Sequence, residues 1–338
     1  VKKRRKTLYL VVAVLMLLVL AACSVETEAP VASGGASTSA SASQSTSGGG
    51  KKPVVGFAQM SYTSAWRIAE TDDIKAKLEE NGYDIIYTDA QNNTQKQVSD
   101  VEDILAQKPD YLLLAPREEE GLVPALDAAK KAGVPVILID RKAKGTPGED
   151  YVCLISSDFV WQGEQACAWL AKKTDGKAKV VEIYGTPGST SAIDRAAGFR
   201  EEMKKYPDME ILASQVGDNK RVESQKVMEN MIQAYGDQID AVYTHGDEMT
   251  FGAVQAIKAA GLKPNEDILV VSVDGTKEGV QGIIDGEISV EVQCNPRMGA
   301  EVIDVLEKLE KGESVEEWIV VKDNIFDETN AKDWVDKL

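Results

Sequence analysis

The stretch YLLLAPREEEGLVPALDAAKKAGVPVILIDR, residues 111–141, decides the fold. Strands are predicted over Tyr111–Ala115 and Val134–Asp140, each an apolar run, the second ending on Asp140. Between them Glu120–Ala132 repeats its apolar residues at helical spacing, and Gly133 follows where a helix C-terminal cap belongs. A strand that is apolar on both faces must be covered on both faces, which is the signature of a parallel sheet flanked by helices. Outward from this unit the same alternation recurs. Strands are predicted over Val54–Ala58, Tyr83–Asp89 and Tyr151–Ser156, then over Lys179–Tyr184, Glu210–Val216, Ala241–His245, Ile268–Asp274 and Ser289–Gln293. Helices are predicted over Trp66–Asn81, Gln95–Gln107, Phe159–Lys173, Ala192–Tyr206, Val222–Tyr235 and Met249–Ala260. So many strands exceed one modest sheet, and two consecutive sets imply an α/β protein of two doubly wound, parallel-sheet lobes.

The N-terminus has a different character. Lys2, Lys3, Arg4, Arg5 and Lys6 precede an apolar run from Leu8 to Ala22, and Cys23 follows. A basic start, a short apolar stretch and small residues before a cut site form an export signal. The run is shorter than the roughly 20 residues a membrane-spanning helix needs. Leu20-Ala21-Ala22-Cys23 resembles the lipobox of bacterial lipoproteins, which implies a signal peptide over 1–22 and acylation of Cys23. Ser33–Gly50 is almost all Ser, Gly, Ala and Thr, so 23–52 reads as a lipidated cysteine on a flexible tether. The expected location is extracytoplasmic, anchored by lipid to the outer face of the cell membrane.

Composition excludes several functions. The net charge is −17, and loss of the signal segment, with five basic and no acidic residues, takes it near −22. Without a basic footprint a nucleic-acid partner is not expected. If Cys23 is acylated, Cys153, Cys167 and Cys294 remain, an odd number that allows at most one disulfide; Cys153 lies in an apolar strand-like run and Cys167 in a helix-like run, and buried free thiols are the expected reading. His245 is the single histidine. No cysteine and histidine spacing suits zinc, and no phosphate loop occurs, so no metal or cofactor is expected.

In doubly wound sheets ligands bind beyond the carboxyl ends of the strands. Those ends carry Gln59 with Ser64, Trp66 and Arg67; Asp140 and Arg141; Asp194 and Arg195 after the loop Gly185–Ser191; Asp247; Asp274; and Gln293. Carboxylates, amides and guanidinium forks are what sugar hydroxyls require, since each hydroxyl both donates and accepts. An indole supplies the surface for the apolar face of a ring. Each residue also has a structural alternative: Trp66 as core, Asp140 and Asp274 as helix caps, and the Asp-Arg neighbours as ion pairs. Asp247 and Asp274 could also be the paired carboxylates of a glycoside-processing enzyme.

Val55–Gln59, Ala65–Thr71, Leu138–Arg141, Ala192–Phe199, Asp247–Met249 and Val273–Gly275, in this order and spacing, resemble the pentose/hexose-binding family of type I periplasmic binding proteins, nearest to galactofuranose-binding and then ribose-binding members. The resemblance covers nearly all of the chain from Pro53. It implies two lobes joined by a three-stranded hinge, 53–157 with 294–318 and 158–293 with 319–338, that close on a monosaccharide and present it to an ABC permease. It implies a monomer that is not an enzyme. In that frame Trp66 is the aromatic wall and Asp140 and Arg141 bind hydroxyls. Arg195, Asp247, Asp274 and Gln293 reach in from the second lobe, with Gln59, Ser64, Arg67 and Asp194 as neighbours. Two positions depart from the family pattern: Gly246, where an Asn is common, and Asn219, where an aromatic is common. A sensing lipoprotein that docks on a signalling receptor would share this fold and site. A sugar-responsive repressor would carry a DNA-binding headpiece where this chain has the export signal.

Overall fold

The computed structural model describes residues 52–338. The export signal, Cys23 and nearly all of the tether lie outside the described residues.

The first sheet is built from β1 (Val54–Gln59), β2 (Asp84–Asp89), β3 (Tyr111–Ala115), β4 (Val136–Ile139) and β5 (Cys153–Ser156). Its helices are α1 (Ala65–Glu80), α2 (Thr94–Ala106) and α3 (Val123–Ala132). After α4 (Phe159–Lys173) the second sheet follows as β6 (Lys177–Tyr184), α5 (Thr190–Met203), β7 (Asp208–Val216), α6 (Arg221–Tyr235) and β8 (Ala241–Thr244). It continues through α7 (Asp247–Ala259), β9 (Leu269–Asp274), α8 (Lys277–Ile284) and β10 (Val290–Gln293). The chain then runs through α9 (Gly299–Glu310), β11 (Trp318–Val320), β12 (Ile325–Asp327) and α10 (Ala331–Trp334).

The sheets have orders β11-β5-β4-β3-β1-β2 and β12-β10-β9-β8-β6-β7. All pairings are parallel except β12 against β10. Two α/β lobes result, as the sequence predicts. The apolar runs that defined β3 and β4 are buried in the first core, and the Gly133 cap takes the left-handed conformation (φ 70°) that glycine adopts without strain. The chain crosses between the sheets three times: from β5 into α4, from β10 into α9 and from β11 into β12. All three residues of β11 pair with β5, so the last crossing follows Val320 and not the expected switch at 318.

One close approach positions the site. Helices α4 and α5 cross with Gly163 and Gly198 facing each other's backbone. A Cβ on Gly163 would sit 2.1 Å from the carbonyl oxygen of Arg195, and one on Gly198 would sit 2.0 Å from that of Val160. Two glycines therefore fix the height at which α5 delivers Arg195.

Candidate functional site

The carboxyl ends of both sheets face a single cleft. From the first lobe, Ser64 caps α1 by accepting a hydrogen bond from Arg67 N (3.2 Å), and Trp66 and Arg67 follow in the first turn. The Trp66 indole donates Nε1–H to the carbonyl oxygen of Cys294 (2.6 Å). Its ring lies under the Arg67 guanidinium, 4.7 Å from the centroid. Arg67 donates to Glu70 (3.0 Å) and to Asp140. Burial opposes the Arg67 charge, but Asp140 and Glu70 together raise its pKa. Asp140 leaves β4 with φ 64°, a conformation a non-glycine residue holds only when its surroundings enforce it.

Arg141 is the least satisfied of these groups. Its Nη1 donates to the carbonyl oxygen of Arg117 (3.0 Å) and reaches Met60 Sδ (3.3 Å), while its buried Nε has no hydrogen-bond partner. Burial, and then the charge of Arg67, pull its pKa down to about 10.

From the second lobe, Arg195 Nε donates to Gln162 Oε1 (2.8 Å) and Nη1 to the carbonyl oxygen of His245 (2.6 Å). Its Nη2 faces Asp274 Oδ1 at 3.6 Å. Asp274 ends β9 with φ 116° and accepts from Asp247 N at the start of α7 (3.1 Å). Gly246 makes room for it, because a Cβ there would lie 2.8 Å from Asp274 Oδ2. Burial lifts Asp274 to about 7; Arg195 works against that rise and Asp247 adds to it. His245 is locked behind the wall: Nδ1 accepts from Gly185 N (3.4 Å) and Nε2 meets Glu182 (3.1 Å). Burial lowers its pKa, so it is neutral there.

The lobes touch at the rim. Glu119 N donates to the Gly188 carbonyl (3.1 Å), and Thr190 Oγ1 donates to Glu119 (2.8 Å) and accepts from Lys142 N (3.0 Å). Arg117 faces Asp218 at 3.6 Å. The cavity, partly open to solvent, measures about 80 Å³.

Of the residues singled out in the sequence, Ser64, Trp66, Arg67, Asp140, Arg141, Arg195 and Asp274 line this cavity. Four do not. The Gln59 amide is spent on Glu70 (2.8 Å), Thr71 (2.9 Å) and Met60 N (2.9 Å), bracing α1 against β1. Asp194 follows α5 round by one residue, about 100° away from Arg195, and lines a separate cavity beside Lys142 and Trp318. The Asp247 carboxylate turns inward to Thr276 N (3.0 Å), Thr276 Oγ1 and Ser272 Oγ (3.2 Å). Gln293 sits at a crossing, where its Oε1 accepts from Asn324 (2.6 Å) and its carbonyl from Gln162 (3.1 Å). Asp247 and Asp274 thus do not flank the cavity as a catalytic pair.

The lining also includes Thr186 and Ser191 from the loop Gly185–Ser191, the two departing positions Gly246 and Asn219, and, beyond the sequence reading, Asn92 and Glu248. Asn219 donates to Thr186 Oγ1 (3.2 Å) and has φ 53°, in a turn that Gly217-Asp218-Asn219 marks in the sequence.

A family model described as "Periplasmic binding protein domain" matches residues 55–314. This chain belongs to the periplasmic binding protein family. The galactofuranose-binding protein YtfQ of Escherichia coli (strain K12) is 38% identical over 287 residues, 84% of this chain and 90% of that protein. The arabinose-binding component of an ABC transporter from Shewanella sp. ANA-3, solved with α- and β-L-arabinofuranose, superposes with a TM-score of 0.81 at 37% identity, covering 84% of this chain and 95% of that one. The fructose-binding periplasmic domain of a hybrid two-component system superposes with a TM-score of 0.78 at 27% identity, over 84% and 94% of the two chains. In this periplasmic binding protein three guanidinium groups, of Arg67, Arg141 and Arg195, and the carboxylates of Asp140 and Asp274 converge on one small cavity beside an indole. Such groups offer charge-assisted hydrogen bonds to a polar ligand.

Proposed function

We propose that this protein is the extracytoplasmic receptor of an ABC importer, binding one pentose or hexose between its lobes and delivering it to the permease. The observation that carries the reading is the cavity itself: small, with charged fork donors and carboxylates from both lobes around Trp66. In this reading Trp66 covers the apolar face of the ring. Arg141 and Asp140 take hydroxyls from one side, and Arg195 and Asp274 take them from the other. The furanose ligands named for YtfQ and for the Shewanella protein favour a five-membered ring. The lobes of the proposal are 53–157 with 294–320 and 158–293 with 321–338. Cys23 is its lipid anchor, and the protein acts as a monomer.

Isothermal titration with L-arabinose, D-galactose, D-ribose and D-fructose tests this. The expected result is one site per chain with a Kd of about 1 µM for at least one sugar, near −8 kcal/mol, and no turnover of the sugar recovered. No heat with any of them, and no shift in melting temperature, refutes the sugar reading. The hybrid two-component neighbour supports a second reading, in which the closed form docks on a sensor. Stimulation of a reconstituted permease ATPase by the sugar-loaded protein supports the importer, and its absence supports the sensor.

A further inference from the structure

Arg195 is held from behind by a chain of buried polar bonds that ends at the hinge. We infer that Gln162 and Asp323, neither of which lines the cavity, position Arg195 and couple its placement to the hinge. The inference rests on the proposal that Arg195 grips the ligand.

Asp323 lies on the third crossing, between β11 and β12. Its Oδ1 accepts from Ser157 Oγ (3.0 Å), on the first crossing, and from Asn295 N (2.8 Å), on the second. One carboxylate thereby collects all three crossings. Its Oδ2 accepts from Gln162 Nε2 (2.8 Å) in the first turn of α4. The same nitrogen reaches the carbonyl of Gln293 (3.1 Å), again on the second crossing. Gln162 is fully buried, and the other end of its amide, Oε1, accepts from Arg195 Nε (2.8 Å).

The amide is matched to the task. It offers a donor at one end and an acceptor at the other, in one rigid plane. A carboxylate at this position would keep the acceptor for Arg195 but face Asp323 with like charge, and an aliphatic side chain would serve neither. When the lobes rotate, the torsions of the three crossings change, and Asp323 moves with them. Gln162 passes that displacement to the fork of Arg195, whose Nη1 is fixed to the His245 carbonyl (2.6 Å) and whose Nη2 points toward Asp274. Arg195 is therefore aimed into the cavity when the hinge is in its closed arrangement.

The test uses Gln162→Leu, Gln162→Glu, Asp323→Asn and the double variant Gln162→Leu/Asp323→Asn. Each is titrated with whichever of L-arabinose, D-galactose, D-ribose and D-fructose the wild type binds most tightly. The coupling predicts that Gln162→Glu weakens binding as much as Gln162→Leu, about tenfold or more. Asp323→Asn weakens it about fivefold in the wild type and no further in the Gln162→Leu background, because residues that act through one network are not additive. Harmless Gln162→Glu, or effects that multiply in the double variant, overturn the inference. Melting temperature is recorded beside Kd, and a purely structural role would lower the first and leave the second unchanged.

The hinge end is tested without sugar. Spin labels at the exposed positions of Glu102 and Glu229 should report a changed distance distribution in unliganded Asp323→Asn, and an unchanged distribution overturns the inference. If the wild type binds none of the sugars, the sugar reading fails while this distance measurement still decides the hinge. If a variant does not fold, the Gln162 side-chain amide resonance of the wild type replaces it. That resonance should shift and exchange more slowly when sugar is added, and no change refutes the coupling.

Discussion

Replacing Arg141 with methionine should move stability and binding in opposite directions. The guanidinium is buried, with bonds from Nη1 to the Arg117 carbonyl and to Met60 Sδ, and an orphaned Nε. Its nearest carboxylate, Asp140 Oδ2 at 3.4 Å, is already engaged by Arg67. A charge taken out of water costs several kcal/mol, and the fall of the Arg141 pKa from 12.5 to about 10 corresponds to about 3 kcal/mol against the charged form at ~1.4 kcal/mol per pH unit. The lost bond to Arg117 offsets about 1 kcal/mol of this. Arg141→Met should therefore gain roughly 0–3 kcal/mol, a rise of about 0–6 °C in the unliganded Tm at ~2 °C per kcal/mol. Binding should suffer. Two charge-assisted bonds to sugar hydroxyls contribute about 1.5–3 kcal/mol each, so Kd should rise by about 100-fold to 10,000-fold at ~1.4 kcal/mol per tenfold. Scanning fluorimetry without sugar and isothermal titration with it measure the two effects on the same preparation. An unliganded Tm that falls by more than about 4 °C would show that Arg141 serves the fold. A Kd within about threefold of wild type would show that it does not hold the ligand.

Three further outcomes are expected. Trp66→Ala should weaken sugar binding by about 10-fold to 100-fold through loss of about 1.5–3 kcal/mol of aromatic burial, and Trp66→Phe should lose less because it keeps an apolar face. Titration calorimetry ranks the two, and equal Kd values for both and wild type exclude stacking. Gly163→Ala should lower Tm by several degrees, since its Cβ would meet the Arg195 carbonyl at 2.1 Å and overpacking costs about 1–3 kcal/mol; an unchanged Tm shows that α4 and α5 can separate without cost. With the cavity empty, burial is the chief cause that lifts Asp274 to about 7, and a carboxyl that opening exposes to water would return toward the ordinary range. The proton therefore favours the empty closed form at low pH, and that advantage is lost as pH rises through about 7. Interlobe distances in the unliganded protein should shift toward closed on acidification, by at most about tenfold in population per pH unit, and Asp274→Asn should abolish the dependence.

The strand and helix pattern was legible because it is written in long apolar runs. Residues 111–141 place β3, α3 and β4 within a few residues of where they lie. The two short strands β11 and β12 escape such reading, since three residues carry no period and Trp318 and Val320 are exposed. The site was legible where a strand end alone decides it: Asp140, Arg141 and Asp274 sit where a parallel sheet must end. It was not legible where side-chain direction decides. Asp194 and Arg195 are neighbours in sequence, yet one turns to a different cavity. Asp247 starts a helix, and Thr276, distant in sequence, captures its carboxylate from the next loop. Gln293 ends its strand at a crossing, so hinge partners claim its amide before any ligand can.

The ion pairs that line the cavity are drawn within lobes, and those between lobes, Arg117–Asp218 and Lys142–Asp194, lie outside it. Arg67 pairs with Asp140 and Glu70 in the first lobe, and Arg195 faces Asp274 in the second. In the open form each charge therefore keeps its partner, and closure does not have to assemble ion pairs from separated ions. Closure then has little electrostatic reward of its own, because the contacts that cross the cleft are rim bonds such as Glu119 to Thr190 and the long Arg117–Asp218 pair. The Arg117–Asp218 pair is long and still partly open to water, and ion pairs screened by solvent contribute about 0–1 kcal/mol. In the proposed closing motion, what closure adds is burial around the unmatched Arg141 Nε and the raised pKa of Asp274, both unfavourable without a ligand. In the proposed function a sugar hydroxyl would accept from Arg141 and another would donate to Asp274, reversing both terms. On that reading the ligand's own hydrogen bonding holds the lobes shut, and the closed form signals occupancy to whatever reads it.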